Sequence, residues 1–71
     1  MLFSLRLREL RLKNHLTQPE IAAAVGFHLS KYTGYEYGKI KPGMDALITL
    51  ADFFDVSLDY LVCRSDNPSR Q

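Results

Sequence analysis

Residues 17–38 read TQPEIAAAVGFHLSKYTGYEYG, and this stretch decides the fold. Thr17 and Glu20 stand at the T-x-x-E spacing of a capping box. In that motif the threonine oxygen accepts from the backbone N–H of residue 20, and the glutamate accepts from the N–H of residue 17. Pro19 falls in the first turn, where its missing N–H breaks no intrahelical bond. Ile21, Ala22 and Val25 follow at helical spacing, and Gly26 supplies the left-handed stop of a C-terminal cap. The pattern predicts one helix over residues 18–25 and a second over 29–37, ending at Gly38. The alanines at 22–24 let another helix approach closely. Two helices this short are not stable alone, so the remaining residues are read as their support.

Upstream, residues 2–14 are predicted to form the first helix. At about 100° per residue, Phe3, Leu7 and Leu10 share one face, and Arg6, Arg8, Glu9, Arg11 and Lys13 fill the flanks. Leu5 and Leu12 fall nearly opposite. They read either as scattered surface leucines or as a contact face for a protein partner. Asn14-His15 breaks the helix, and Leu16 precedes Thr17 as a hydrophobic staple. Downstream, Lys39-Ile40-Lys41-Pro42-Gly43 has loop composition. Leu47, Leu50, Ala51 and Phe54 then recur at the spacing of a buried face and predict a helix over 44–54. Ser57 is a good N-cap for a last helix over 58–62, with Leu58 and Leu61 expected in the core. The expectation is therefore an all-α, five-helix bundle forming one domain over residues 1–64, with a polar, frayed tail over 65–71.

A chain of 71 residues forms one small domain, and 46% hydrophobic content argues against disorder. The single cysteine, Cys63, leaves no internal disulfide, and no Cys/His cluster points to a metal or cofactor. The start, MLFSLRLREL, has no long apolar run, which predicts neither a signal peptide nor a spanning helix and a cytoplasmic chain. Charge is unevenly placed. Residues 1–41 carry seven lysines and arginines (Arg6, Arg8, Arg11, Lys13, Lys31, Lys39, Lys41) against three acids, whereas 42–71 carry two against five. Such a split can orient a molecule towards a polyanion, and it is equally compatible with a mixed solvated surface.

The ordered set LRELR (7–11), LTQ (16–18), IA (21–22), VG (25–26), YE-G (35–38), KP (41–42) and LADFFDVSLDYL (50–61) resembles the Cro/C1-type helix-turn-helix family. These are DNA-binding domains of phage repressors and many small bacterial regulators. The resemblance spans roughly residues 3–64 and implies a five-helix fold. It implies that Gln18 binds a phosphate of double-stranded DNA. It places the third helix in the major groove, with Leu29, Ser30, Thr33 and Gly34, and Lys31 beside them, towards base edges. By the same resemblance Lys39 and Lys41 contact the DNA backbone, and Arg11 and Glu36 form a buried pair tying the first helix to the third. It also implies a homodimer joined through Leu58, Tyr60 and Leu61.

The sequence departs from the family pattern at several positions. His28 replaces the usual hydroxyl cap of the third helix, and Gly34 stands where a long polar reader is common. Tyr37 stands where asparagine is common, and Cys63 where glycine is. The reading helix is consequently poor in donors, and DNA shape can supply part of the recognition. Two functions follow. One is a sequence-specific DNA-binding regulator, a repressor acting as a homodimer. The other is a protein-interaction module, antitoxin-like or antirepressor-like, using Leu5 and Leu12. An enzyme is not expected, because His15 and His28 have no nucleophile or carboxylate cluster at a catalytic spacing.

Overall fold

A computed structural model describes residues 2–70; Met1 and Gln71, the ends of the expected domain and tail, lie outside the described residues. Five helices follow in order: α1 (Phe3–Lys13), α2 (Gln18–Val25), α3 (Leu29–Glu36), α4 (Met44–Phe54) and α5 (Leu58–Leu61).

Local chemistry sets the boundaries. At α2, Thr17 Oγ1 accepts from the Glu20 N–H at 3.2 Å, and Glu20 Oε1 accepts from the Thr17 N–H at 2.8 Å. The same contact with the Thr17 backbone N–H holds the Glu20 carboxyl below its ordinary pKa. Gly26 closes α2 in the left-handed region at φ 76°, while Phe27 donates back to the Ala22 carbonyl at 2.9 Å. α3 starts at His28 without a side-chain cap. Ser57 caps α5 by accepting from the Tyr60 N–H at 3.0 Å. Among the described residues, three non-glycine residues hold positive φ after helix ends: His15 at 58°, Asp55 at 55° and Cys63 at 66°. Cys63 thus performs the turn for which glycine is the ordinary choice.

The core gathers Leu7, Leu10, Ile21, Ala22, Tyr32, Tyr35, Ala46, Leu50, Ala51 and Leu61 from all five helices, with Val56 from the α4–α5 connection. Phe3, Leu16, Val25, Phe27, Leu47 and Phe54 pack around it. Phe27 meets Tyr35 edge-on, with ring centroids 6.0 Å apart, a favoured aromatic geometry. Within this frame α2 and α3 pack on each other at the turn, and α1 braces α3 from behind.

The structure differs from the sequence reading in three places. Leu58 is not a core residue; it is 38% exposed, whereas Leu61 is fully buried. A helix of one turn has too little periodicity to choose its inner face. Arg6, expected in a solvated flank, is buried. Its guanidinium lies 3.8 Å from the Tyr60 ring centroid, donates to the Tyr60 carbonyl at 2.9 Å, and reaches Asp66 at 3.5 Å. The segment after α5, expected to fray, turns back onto the bundle. The Ser57 N–H donates to the Pro68 carbonyl at 3.1 Å. Arg70 donates to the Ala51 carbonyl at 3.1 Å and to Asp52 at 2.6 Å. A cation at that point also favours the C-terminal end of the α4 dipole.

Candidate nucleic-acid interface

The centre of the site is a buried ion pair. Arg11, in the last turn of α1, donates from Nε to Glu36 Oε2 at 2.8 Å and from Nη2 to Oε1 at 3.0 Å. Its remaining Nη1 donates to the Leu16 carbonyl at 2.8 Å. One guanidinium therefore joins α1, the approach to α2, and the end of α3. This two-bond fork satisfies both carboxylate oxygens, which is the condition for tolerating a charge pair in the interior.

Burial pushes the Glu36 carboxyl upward, but the hydrogen bonds and charge of Arg11, with the neighbouring Tyr32 hydroxyl and the Gln18 amide, outweigh it and keep the group below the ordinary carboxylate range. The hydrogen bond to Glu36 likewise holds the Arg11 guanidinium above its usual value. Burial pushes the neighbouring Tyr32 phenol well above its usual value. Its hydroxyl is enclosed with no hydrogen-bond partner of ordinary geometry among the described residues. Tyr32 is thus a neutral phenol whose hydroxyl faces the ion pair.

Gln18, the first residue of α2, extends this network to the surface. Its Nε2 donates to Glu36 Oε1 at 3.3 Å, and its Oε1 accepts from the Tyr37 hydroxyl at 3.3 Å. A carboxylate only accepts, so Glu36 selects the amide end of Gln18 that faces it. One amide hydrogen remains to donate elsewhere, at the electropositive N-terminal end of α2. That is a suitable arrangement for a phosphate oxygen.

On α3, Leu29, Ser30 and Lys31 are exposed and Thr33 is half-buried. The Thr33 hydroxyl donates to the Ser30 carbonyl at 3.2 Å. Lys31 Nζ sits 4.6 Å from the Phe27 ring centroid, a cation–π contact that holds its stem against the turn. Lys39 and Lys41 are exposed in the loop that follows. Gly34 requires correction as a site residue. It is buried, because the Ile40 side chain lies over it. A Cβ added at 34 would stand 2.7 Å from Ile40 Cγ1 and closer still to Cδ1.

Leu61 is corrected likewise. A side chain with 0% exposure belongs to the core and offers nothing to a second subunit. Tyr60 is half-buried, with one ring face covered by Arg6. Leu5 and Leu12 are 53% and 51% exposed on the far side of α1.

Sequence reasoning missed Arg6, the Tyr37 hydrogen bond and Ile40. Arg6 had a usable signal, since it lies three residues after Phe3 and four before Leu10, on the buried arc. The other two depend on how the loop after α3 folds back, for which the sequence carries no periodic signal.

Two short helices at a tight turn, an ion pair bracing them, and an open helix face flanked by lysines define a helix-turn-helix unit. Residues 7–61 match the helix-turn-helix family model, and the chain belongs to that family. It is 43% identical over 63 residues to an uncharacterized HTH-type transcriptional regulator, YobD, of Bacillus subtilis (strain 168), covering 89% of this chain and 56% of YobD. It is 42% identical over 59 residues to the HTH-type transcriptional regulator AnsR of the same organism, covering 83% of this chain and 51% of AnsR. It is 34% identical over 65 residues to the cryptic phage CTXphi transcriptional repressor RstR of Vibrio cholerae, covering 92% of this chain and 59% of RstR. The chain thus spans a little over half the length of the curated relatives it matches. No helix among the described residues is long and apolar enough to cross a membrane.

Proposed function

We propose that this chain binds double-stranded DNA through α3 and acts as a cytoplasmic transcriptional regulator, a repressor working as a homodimer. One observation carries the reading. The buried Arg11–Glu36 fork fixes Gln18 at the start of α2, behind a helix whose Leu29, Ser30 and Lys31 are exposed. Helix, glutamine amide and the Lys39/Lys41 loop form a rigid surface with donors and cations for phosphates on both sides of a short reading element. Phosphate contacts of this kind set register, and base-edge contacts set sequence. The names of the relatives support the same role. The protein is read as a binding protein and no reaction is assigned to it.

A single α3 covers only a few base pairs, so two linked copies gain affinity through effective concentration. The proposed joining surface is Leu58 and the outer edge of Tyr60, together with Ile48, which lines one groove with Leu58. The test is a gel shift with a randomised duplex pool, followed by competition. A band displaced by enriched duplex and not by random duplex supports the reading; equal displacement by both contradicts it.

A protein-interaction role is the second reading, and Leu5 and Leu12 favour it. If that face is the working surface, Leu5→Ser with Leu12→Ser will leave duplex binding intact and abolish function in the cell.

A further inference from the structure

Ser30, Thr33, Gly34 and Tyr37 fall on one arc of α3 at helical spacing, so the glycine leaves a gap in the face proposed to read DNA. The chain fills that gap from elsewhere. After the helix ends, the N–H groups of Lys39 and Ile40 both donate to the Gly34 carbonyl, at 2.8 Å and 3.1 Å. These bonds pin the loop against the helix and set the Ile40 side chain over Gly34, where only a missing Cβ makes room. Gly34 is buried as a result, yet Ile40 itself is 45% exposed. It is not a core plug: its inner side covers the helix backbone and its outer side remains in solvent. Lys39 and Lys41 on either side of it are exposed.

From this juxtaposition we propose that Ile40 is a specificity-determining residue, supplying from the loop the base contact that residue 34 does not supply from the helix. The inference rests on the DNA-binding reading above. The chemistry of an aliphatic side chain narrows what it reads. Every base edge in the major groove presents hydrogen-bonding atoms, and thymine alone adds a methyl group. An isoleucine gains by covering that methyl and leaves a polar group unpaired against cytosine or guanine. Ile40 therefore selects thymine at one position of each half-site, next to the positions faced by Ser30 and Thr33.

The experiment compares wild type with Ile40→Ala and Ile40→Val on duplexes enriched from a randomised pool. Thermal melting first establishes that each variant is folded; valine, which loses only Cδ1, is the variant that keeps the fold if alanine does not. At each enriched thymine, deoxyuridine then removes the methyl and nothing else. The expected result is one position where deoxyuridine weakens wild type about four-fold, the worth of one buried methyl. There Ile40→Ala should bind the two duplexes equally and Ile40→Val should fall between, with preferences elsewhere retained. Equal deoxyuridine sensitivity in wild type and the folded variants overturns the proposal while leaving DNA binding in place. Failure of wild type to enrich any duplex overturns the DNA-binding reading, and the proposal with it.

Discussion

Glu36 carries a formal charge almost wholly inside the bundle, with its side chain 1% exposed. It is tolerable because Arg11 occupies both its oxygens. Removing Arg11 leaves that charge without its partner, so Arg11→Ala should destabilise by about 3–5 kcal/mol, a large part of the ~5–15 kcal/mol available to a domain. A double-mutant cycle with Glu36→Gln checks it: strong coupling is expected, and a coupling near zero would refute the pairing. The pH dependence has a definite sign. The folded pKa of Glu36 lies below its unfolded value, so its contribution is fully present above the ordinary carboxylate range. That contribution is lost as pH falls through the lowered folded value. Melting temperature should therefore drop on acidification more steeply in wild type than in Glu36→Gln.

Gly34 makes a different prediction. Alanine restores about 1 kcal/mol of helix propensity, but its Cβ must displace Ile40. Gly34→Ala alone should raise the melting temperature little or not at all. In an Ile40→Ala background it should raise it by the ~4–8 °C that 1 kcal/mol is worth in a domain of this size. An equal rise in both backgrounds would show that Ile40 does not press on residue 34.

At the scale of elements, helix ends are where local chemistry and sequence agree or conflict. His15 is exposed and holds φ 58° after α1, a conformation that costs an L-residue about 1–2 kcal/mol. His15→Gly removes that strain with no packing to lose, and should stabilise by about 1 kcal/mol in urea titration. A loss of stability would mean that the imidazole makes a contact the geometry does not contain. The elements themselves were legible in the sequence because caps and periodicity are local. The Thr17–Glu20 box, Gly26, and the Leu47/Leu50/Ala51/Phe54 face each act within a turn or two. Arg6 meets Tyr60 and Asp66 more than fifty residues away, and Arg70 returns to α4; only the folded chain brings those groups together. The site divides along the same line. Gln18 is half-buried, and Lys39 and Lys41 are exposed, as residues meeting a partner must be. Gly34 and Leu61 are buried, by Ile40 and by the core, partners that no spacing announces.

For the whole molecule, the exposed apolar groups Ile48 and Leu58 lie along one groove of α4 and α5, on which the proposed homodimer depends. Tyr60 is a poor probe of it, since changing Tyr60 also strips the cover from Arg6. Leu58→Glu leaves the Arg6–Tyr60 contact in place, and thermal melting establishes that the variant is folded. It should shift sedimentation from dimer to monomer at micromolar concentration and weaken a duplex with two half-sites far more than one with a single half-site. A wild-type chain that sediments as a monomer with and without duplex would remove the dimer from the account.

A lysine-flanked helix face that binds DNA with sequence preference has a definite salt signature. Its most direct measurement is fluorescence anisotropy of the chain on an enriched duplex and on a scrambled one, over a range of salt concentrations, for wild type, Lys39→Ala and Lys41→Ala. Binding should be tighter to the enriched duplex. The log–log salt slope should fall by about 0.9 for each lysine removed, with the preference between duplexes unchanged. Equal affinity for both duplexes, or a salt slope that neither lysine alters, would contradict that reading.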